Sequence, residues 1–327
     1  MSLVADALQP HSIAGLMSLA GNTGSGGISE LLVKSSGGFD LDFDDASQSF
    51  SLDFRDSQAI VPAIGADCSR FASAAFQSIT PIASEIVNKD SLAWSMIKLY
   101  YSAFYAGHSL IRILGESCSY LDHRHVARVI AVGSAIGKVP KFRIDGGLYH
   151  CKSNRSATVL SFVRARGSVG GAHESFWAIF RQCIRELTQD VLRGPLVSAE
   201  AVAVFTQLQA LEQILAASGP GSHGALSVVR NDLQYKHSFG VWFPVKVHKR
   251  ERERLGRLAA QWQRDPMSVD LTAAPHDPLS QFTIACAFIT SVCRCLLCRI
   301  VERSAVGARC FACFGPISFL RTAGLAT

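Results

Sequence analysis

Residues 88–114 read NKDSLAWSMIKLYYSAFYAGHSLIRIL, and this stretch decides the fold class. Leu92, Met96, Leu99, Ala103, Gly107, Leu110 and Leu114 recur at intervals of three and four, which keeps them on one face of an α-helix. Asp90 and Ser91 are available to cap its start, and Gly115 stands where a C-terminal cap belongs. Tyr100, Tyr101, Phe104 and Tyr105 make the remaining faces aromatic as well. A helix apolar all round is expected at the centre of a helical protein, not on its surface.

Outward from this helix, further helical patterns are expected at 126–136, 173–193, 198–217 and 222–237. A last one runs from 278 to about 303, with Asp277 as N-cap and Pro278 in the first turn. Residues 137–172, rich in Gly, Lys, Arg and Ser, read as loops and short strands. On the N-terminal side, Phe39, Leu41 and Phe43 alternate with aspartates, and Phe50, Leu52 and Phe54 repeat the pattern after a polar break. Period two on both sides of a turn predicts a β-hairpin with one apolar face. Gly21-Asn-Thr-Gly-Ser-Gly-Gly27 reads as a connector. The expectation is a mainly α protein, a helical bundle with a small N-terminal β-hairpin and a loop-rich insertion. Its parts are an N-terminal region 1–87, a helical domain 88–303 with the insertion at 137–172, and a tail 304–327.

Hydrophobic residues make up 48% of the 327 positions and charged residues 18%, which excludes a mainly disordered chain. Arg294 and Arg299 interrupt the most apolar region, so no membrane span is expected. Asp6 and the lack of a basic start give no secretory signal, and a cytoplasmic location is expected. Charge is uneven. Six aspartates lie between 39 and 56 against the single Arg55, whereas 241–265 hold seven Lys/Arg against three acidic residues. Such a basic stripe, with Lys246, Lys249 and Arg250, suits a polyanion, although Glu251 and Glu253 also fit an ordinary solvated helix face. The aspartate row on the hairpin is the ordinary wet side of an alternating strand.

Cys295-x-x-Cys298 and Cys310-x-x-Cys313 have the form of a zinc pair of pairs. The first pair falls inside the expected long helix, without a knuckle loop, so packing as small apolar side chains is the expectation and no metal is assigned. The chain has neither a phosphate-binding Gly-rich loop ending in Lys-Ser/Thr nor a Gly-x-Ser-x-Gly elbow, which disfavours P-loop hydrolases and α/β-hydrolases. His108 is expected as a hydrogen-bonded core histidine.

The remaining candidate is Arg230-Asn-Asp-Leu-Gln-Tyr-Lys-His237. Seven helical residues turn through about 700°, so on one helix Arg230 and His237 share a face, ~10 Å apart along the axis. That is too far for a mutual hydrogen bond but suits two groups flanking one phosphodiester, Arg to stabilise charge and His to move protons. Arg143/His150 and Arg166/His173 have the same interval, but Gly146-Gly147 and Gly170-Gly171 break a continuous helix there.

Arg230-Asn231 followed by His237 resembles the signature of HEPN domains (higher eukaryote and prokaryote nucleotide-binding), and Tyr100-Tyr101-Ser102-Ala103-Phe104-Tyr105-Ala106-Gly107-His108 is similar to the first core helix of several members. The resemblance covers roughly 88–303. It implies a HEPN-like bundle and a metal-independent ribonuclease of a bacterial toxin or anti-phage defence system, acting as a homodimer without cofactor. In that reading His237 is the acid/base, Arg230 stabilises phosphate charge, and Asn231 positions the RNA or the Arg. Lys236, Lys246, Lys249 and Arg250 would bind RNA, and Tyr235, Trp242 and Phe243 are placed to stack on single-stranded bases. An antitoxin or defence-system protein is the further partner the resemblance suggests. The other reading is a non-catalytic HEPN-like module that binds a nucleotide or a protein.

Overall fold

A computed structural model describes residues 2–21, 26–34, 38–54, 56–88, 91–165, 171–194, 196–216, 224–242, 247–272 and 277–325. Asp90, Arg166, Phe243, Lys246, Gly219-Pro220-Gly221 and part of the Gly21–Gly27 connector lie outside the described residues. In chain order the elements are α1 (Leu3–Leu8), α2 (Ile28–Lys34), β1 (Asp40–Asp44), β2 (Ser49–Asp53), α3 (Ile60–Ile79), α4 (Ile82–Asn88), α5 (Leu92–Ile113), β3 (Glu116–Leu121) and α6 (His123–Ala135). They continue with β4 (Gly147–Ser153), β5 (Val159–Arg164), α7 (Gly171–Val191), α8 (Ser198–Ala216), α9 (Ala225–Tyr235), α10 (Lys249–Ala260), α11 (Pro278–Arg303) and α12 (Pro316–Thr322). The protein is mainly helical, 66% helix and 11% strand.

The aromatic helix is central. α5 packs along α3 and α11, with α4 and α9 also against it. Gly115, in the left-handed region at φ 83°, follows its last turn as the sequence suggests. α3, in contrast, has no counterpart among the expected helices. Its buried Ile60, Ile64, Cys68, Ala72, Phe76 and Ile79 form a stripe that lies against α5. Inside that contact Arg112 Nε donates to Asp67 Oδ2 at 3.3 Å, and Cys68 Sγ lies 3.1 Å from Ser109 Oγ.

The hairpin forms as expected, with Leu41, Phe50 and Leu52 buried and the aspartates outward. Asp42 is reached by Lys138 Nζ at 3.1 Å, and Asp45 accepts from the Lys141 backbone at 2.9 Å. The hairpin is not separate, however. β2 pairs with β5, and the antiparallel sheet runs β1-β2-β5-β4-β3. The 137–172 insertion therefore supplies two central strands. Phe50 stacks on its cross-strand neighbour Phe162, with ring centroids 4.7 Å apart. One hydrophobic core joins Val4, Phe50, Ile64, Tyr100, Phe162, Phe288 and Leu320, so the N-terminal region, helical domain and tail are packed together.

α11 starts as expected: Asp277 Oδ1 accepts from the Ser280 backbone at 2.9 Å, with Pro278 in the first turn. Among the described residues one helix is long and apolar enough to meet the length and composition test for a membrane span. α11 passes that test by length and composition, because Arg294 and Arg299 are only two charges in a long apolar run, but 78% of the qualifying window is buried inside the protein. Arg294 leans out and donates to the carbonyls of Gln263 and Arg264.

Phe50→Ala removes the ring that joins the hairpin to the insertion. It should lower the unfolding free energy by about 3–5 kcal/mol in urea titration. A loss below about 1 kcal/mol would mean that the β2–β5 contact is not part of the core.

Candidate active site

Arg230 is positioned by the start of α9. Gly224 precedes that helix, and a Cβ there would lie 2.9 Å from Trp177 Cβ, so only glycine lets α9 begin this close to α7. The Arg230 side chain turns inward, only 7% exposed, with its Cζ 5.3 Å from the Tyr100 ring and 5.9 Å from the Tyr101 ring. Both are within cation–π range. Arg230 Nη1 donates to Asn231 Oδ1 at 2.8 Å and reaches Gln234 Oε1 at 3.5 Å. Arg230 Nε is buried without a hydrogen-bond partner. Among the described residues no carboxylate forms an ion pair with it.

The histidine beside Arg230 is His173, at the start of α7. Tyr100 Oη lies 2.9 Å from His173 Nδ1 and accepts from Trp177 Nε1 at 3.0 Å. The hydroxyl thus bridges the indole and the imidazole. Burial and the Arg230 charge hold His173 down at about 4, so the ring is neutral near pH 7. Burial likewise pushes the Tyr100 hydroxyl up. The sequence pattern set His173 aside because Gly170-Gly171 break any helix from Arg166; α7 indeed begins at Gly171.

His237 is not on the face that two full turns would give. α9 ends at Tyr235, Lys236 is the C-cap, and His237 has left-handed backbone at φ 52°. The shared-face expectation fails because Trp242 folds back and donates from Nε1 to the Leu233 carbonyl at 2.6 Å, taking a carbonyl that a longer helix would have used. His237 is exposed and stacks on Trp242, with centroids 5.2 Å apart, and Trp94 meets Trp242 edge-on at 5.6 Å. Tyr235 is 69% and Trp94 53% exposed, so aromatic surface surrounds the imidazole. Trp94 was missed by the sequence pattern because it lies off the buried three-and-four stripe, beside the exposed Lys98.

The basic residues are scattered. Lys236 pairs with Asp232 at 2.7 Å, and Lys249 approaches Glu253 at 3.9 Å. Arg254 is held by Glu251 and Asp277, and Arg250 is exposed on α10. α10 docks mainly on α4 and α11, whereas α9 docks on α5.

A second polar cluster lies at the sheet. Glu116 Oε2 is 2.7 Å from His150 Nε2 and accepts from Cys183 Sγ at 2.9 Å, and Lys152 Nζ reaches Oε1 at 2.9 Å. Those hydrogen bonds and the Lys152 charge outweigh burial and hold Glu116 at about 2. Burial and the adjacent carboxylate push the Cys183 thiol up. They come from three separate stretches, Glu116 on β3, His150 and Lys152 on β4 and Cys183 on α7, and no motif announces them. Cys295, Cys298, Cys310 and Cys313 do not form a ligand group among the described residues. His108 is a core histidine, stacked on Phe71 and Phe176 and 3.2 Å from Arg112 Nη1.

A histidine neutral in the folded state and protonated in the unfolded chain costs stability in acid. His173 should therefore contribute a fall in stability as pH drops from about 6.5 to about 4, with His108 acting in the same sense. Thermal melts of His173→Gln should show a shallower loss over that window. A slope identical to that of the natural chain would remove His173 from the buried cluster.

Comparison with protein-family models, curated proteins and solved structures finds no match to this chain.

Proposed function

We propose that the chain is a metal-independent RNA endonuclease of a bacterial toxin or defence system, with Arg230, Asn231 and His237 as its working residues. The observation that carries this reading is the guanidinium of Arg230: buried, with no carboxylate paired to it among the described residues and with Nε without a hydrogen-bond partner there. A cation withdrawn from water without a counter-charge is costly, and a phosphate is the partner it lacks. Phosphate oxygens are stronger acceptors than the amide oxygens of Asn231 and Gln234 that now approach it, and would displace the long Gln234 contact.

In the reaction the RNA 2′-hydroxyl attacks the adjacent phosphorus. The bond from phosphorus to O2′ forms, the bond to O5′ breaks, and a 2′,3′-cyclic phosphate and a 5′-hydroxyl result. His237, exposed beyond the end of α9, takes the 2′-hydroxyl proton or delivers one to O5′. Arg230 stabilises charge on the non-bridging oxygens. His237 lies past the end of α9, so a symmetric pair of chains supplies the second proton-transfer group, His237 of a second copy. Tyr235, Trp94 and Trp242 offer faces on which unpaired bases stack.

A second reading keeps the scaffold without cleavage. It is favoured by the Arg230 stack on Tyr100 and Tyr101, which ties α9 to α5 and gives the guanidinium a packing role. The two readings separate in one assay. Single-stranded RNA incubated with the purified chain in excess chelator should be cut to cyclic-phosphate ends, and His237→Ala should slow cutting by about 10²–10⁴-fold while the melting temperature holds. Absence of cutting, or undiminished cutting by His237→Ala, leaves the non-catalytic module.

A further inference from the structure

The Glu116 cluster has no part in the RNA reading, and its register explains how it assembles. Glu116 opens β3 opposite Lys152 on β4, and His150 stands opposite Cys118. Residues two apart on a strand share a face, so Glu116, His150 and Lys152 converge on one side of the sheet. α7 brings Cys183 to the same point, and Glu186, one turn on, accepts from Lys152 at 3.2 Å. The Glu116 carboxylate is only 8% exposed.

We propose that Glu116, His150 and Cys183 form a zinc-type cation site with one coordination position left open toward the adjoining cleft. Their ligand atoms lie within 4.8 Å of one another, the span that a single ion can bridge. One sulfur, one nitrogen and one oxygen donor suit a borderline-soft cation and argue against magnesium or calcium, which take oxygen sets. His150 and Cys183 both converge on Glu116 Oε2, so a single divalent cation takes the place of two hydrogen bonds. The cleft has a volume of about 620 Å³ and is lined by Glu116, Cys183, Lys152, His11, Asn154 and Arg155, among others. It gives water or a small anionic ligand access to the fourth position.

The proton balance is simple. Cys183 loses its thiol proton to solvent as the sulfur–metal bond forms. Neutral His150 shifts its proton to Nδ1 so that the Nε2 lone pair faces the ion. The thiolate and carboxylate then neutralise the two positive charges. Lys152 is the built-in competitor. It occupies Oε1 when no cation is present, and it keeps Glu186 as a partner when one is.

Cobalt(II) and zinc titrations of the intact, reduced, chelator-stripped chain test this. One equivalent of cobalt should produce a near-ultraviolet thiolate charge-transfer band, and zinc should displace it. Cys183→Ser should abolish the band and weaken zinc binding by on the order of tenfold or more. Cys295→Ser and Cys313→Ser should leave the band unchanged. Lys152→Met removes the competing cation and should tighten binding severalfold, a gain that damaged folding does not mimic. No cobalt band in the natural chain, a band that survives Cys183→Ser, or unchanged affinity in Lys152→Met would overturn the site. None of these outcomes bears on RNA cutting, which is measured in chelator.

Discussion

A guanidinium buried in a protein core must find something to answer its charge, and α5 carries one such group, Arg112, and packs against another, Arg230, that is answered differently. Arg112, 2% exposed, faces the Asp67 carboxylate at 3.3 Å and lies 4.4 Å above the Phe71 ring. Its charge is met inside the fold. Removing one partner of such a pair strands the other in a low-dielectric interior, typically at a cost of about 3–5 kcal/mol. Arg230, beside the N-terminal half of the same helix, has tyrosine faces and neutral amides but no carboxylate among the described residues. The same residue type in the same core is thus structural in one place and incomplete in the other.

The neighbourhood of Arg230 follows from the way α5 is buried. Tyr100 cannot be fully enclosed unless its hydroxyl is satisfied, and Trp177 and His173 do this from α7. His173 then has to remain neutral next to a cation, which burial and the Arg230 charge enforce together. His237 experiences the opposite conditions. It is exposed beyond the helix end, with its ring stacked on Trp242.

Local signals in the sequence were dependable where they describe one element. The three-and-four spacing of α5, the period-two hairpin and the Asp277-Pro278 start of α11 all correspond to what forms. α3 was equally legible in Ile60, Ile64, Cys68, Ala72 and Phe76, but the acidic hairpin beside it drew the reading of the N-terminal region. What sequence spacing did not carry is anything decided by a second element. α9 stops at Tyr235 because a tryptophan seven residues later folds back onto it, and no helical count from Arg230 contains that information. His150 and His173 share the Arg-x6-His interval, but the glycine pairs within it exclude a continuous helix. Both reach polar clusters, His150 through β-strand register and His173 through the α5–α7 contact. Glu116, His150 and Cys183 meet through a strand pairing and a helix docking, so 34 and 33 residues of separation hide them from any motif.

The central claim is that the Arg230 guanidinium is an anion-seeking group and not a packing cation. The direct measurement is the ¹⁵N NMR signal of Arg230 Nε, assigned through Arg230→Met, during titration with a 2′-O-methyl oligonucleotide that binds without being cut. The expected result is a saturable shift of that resonance, with slowed exchange of its proton, at the concentration where binding saturates. Binding that moves other arginine signals and leaves Arg230 Nε where it was would contradict the claim.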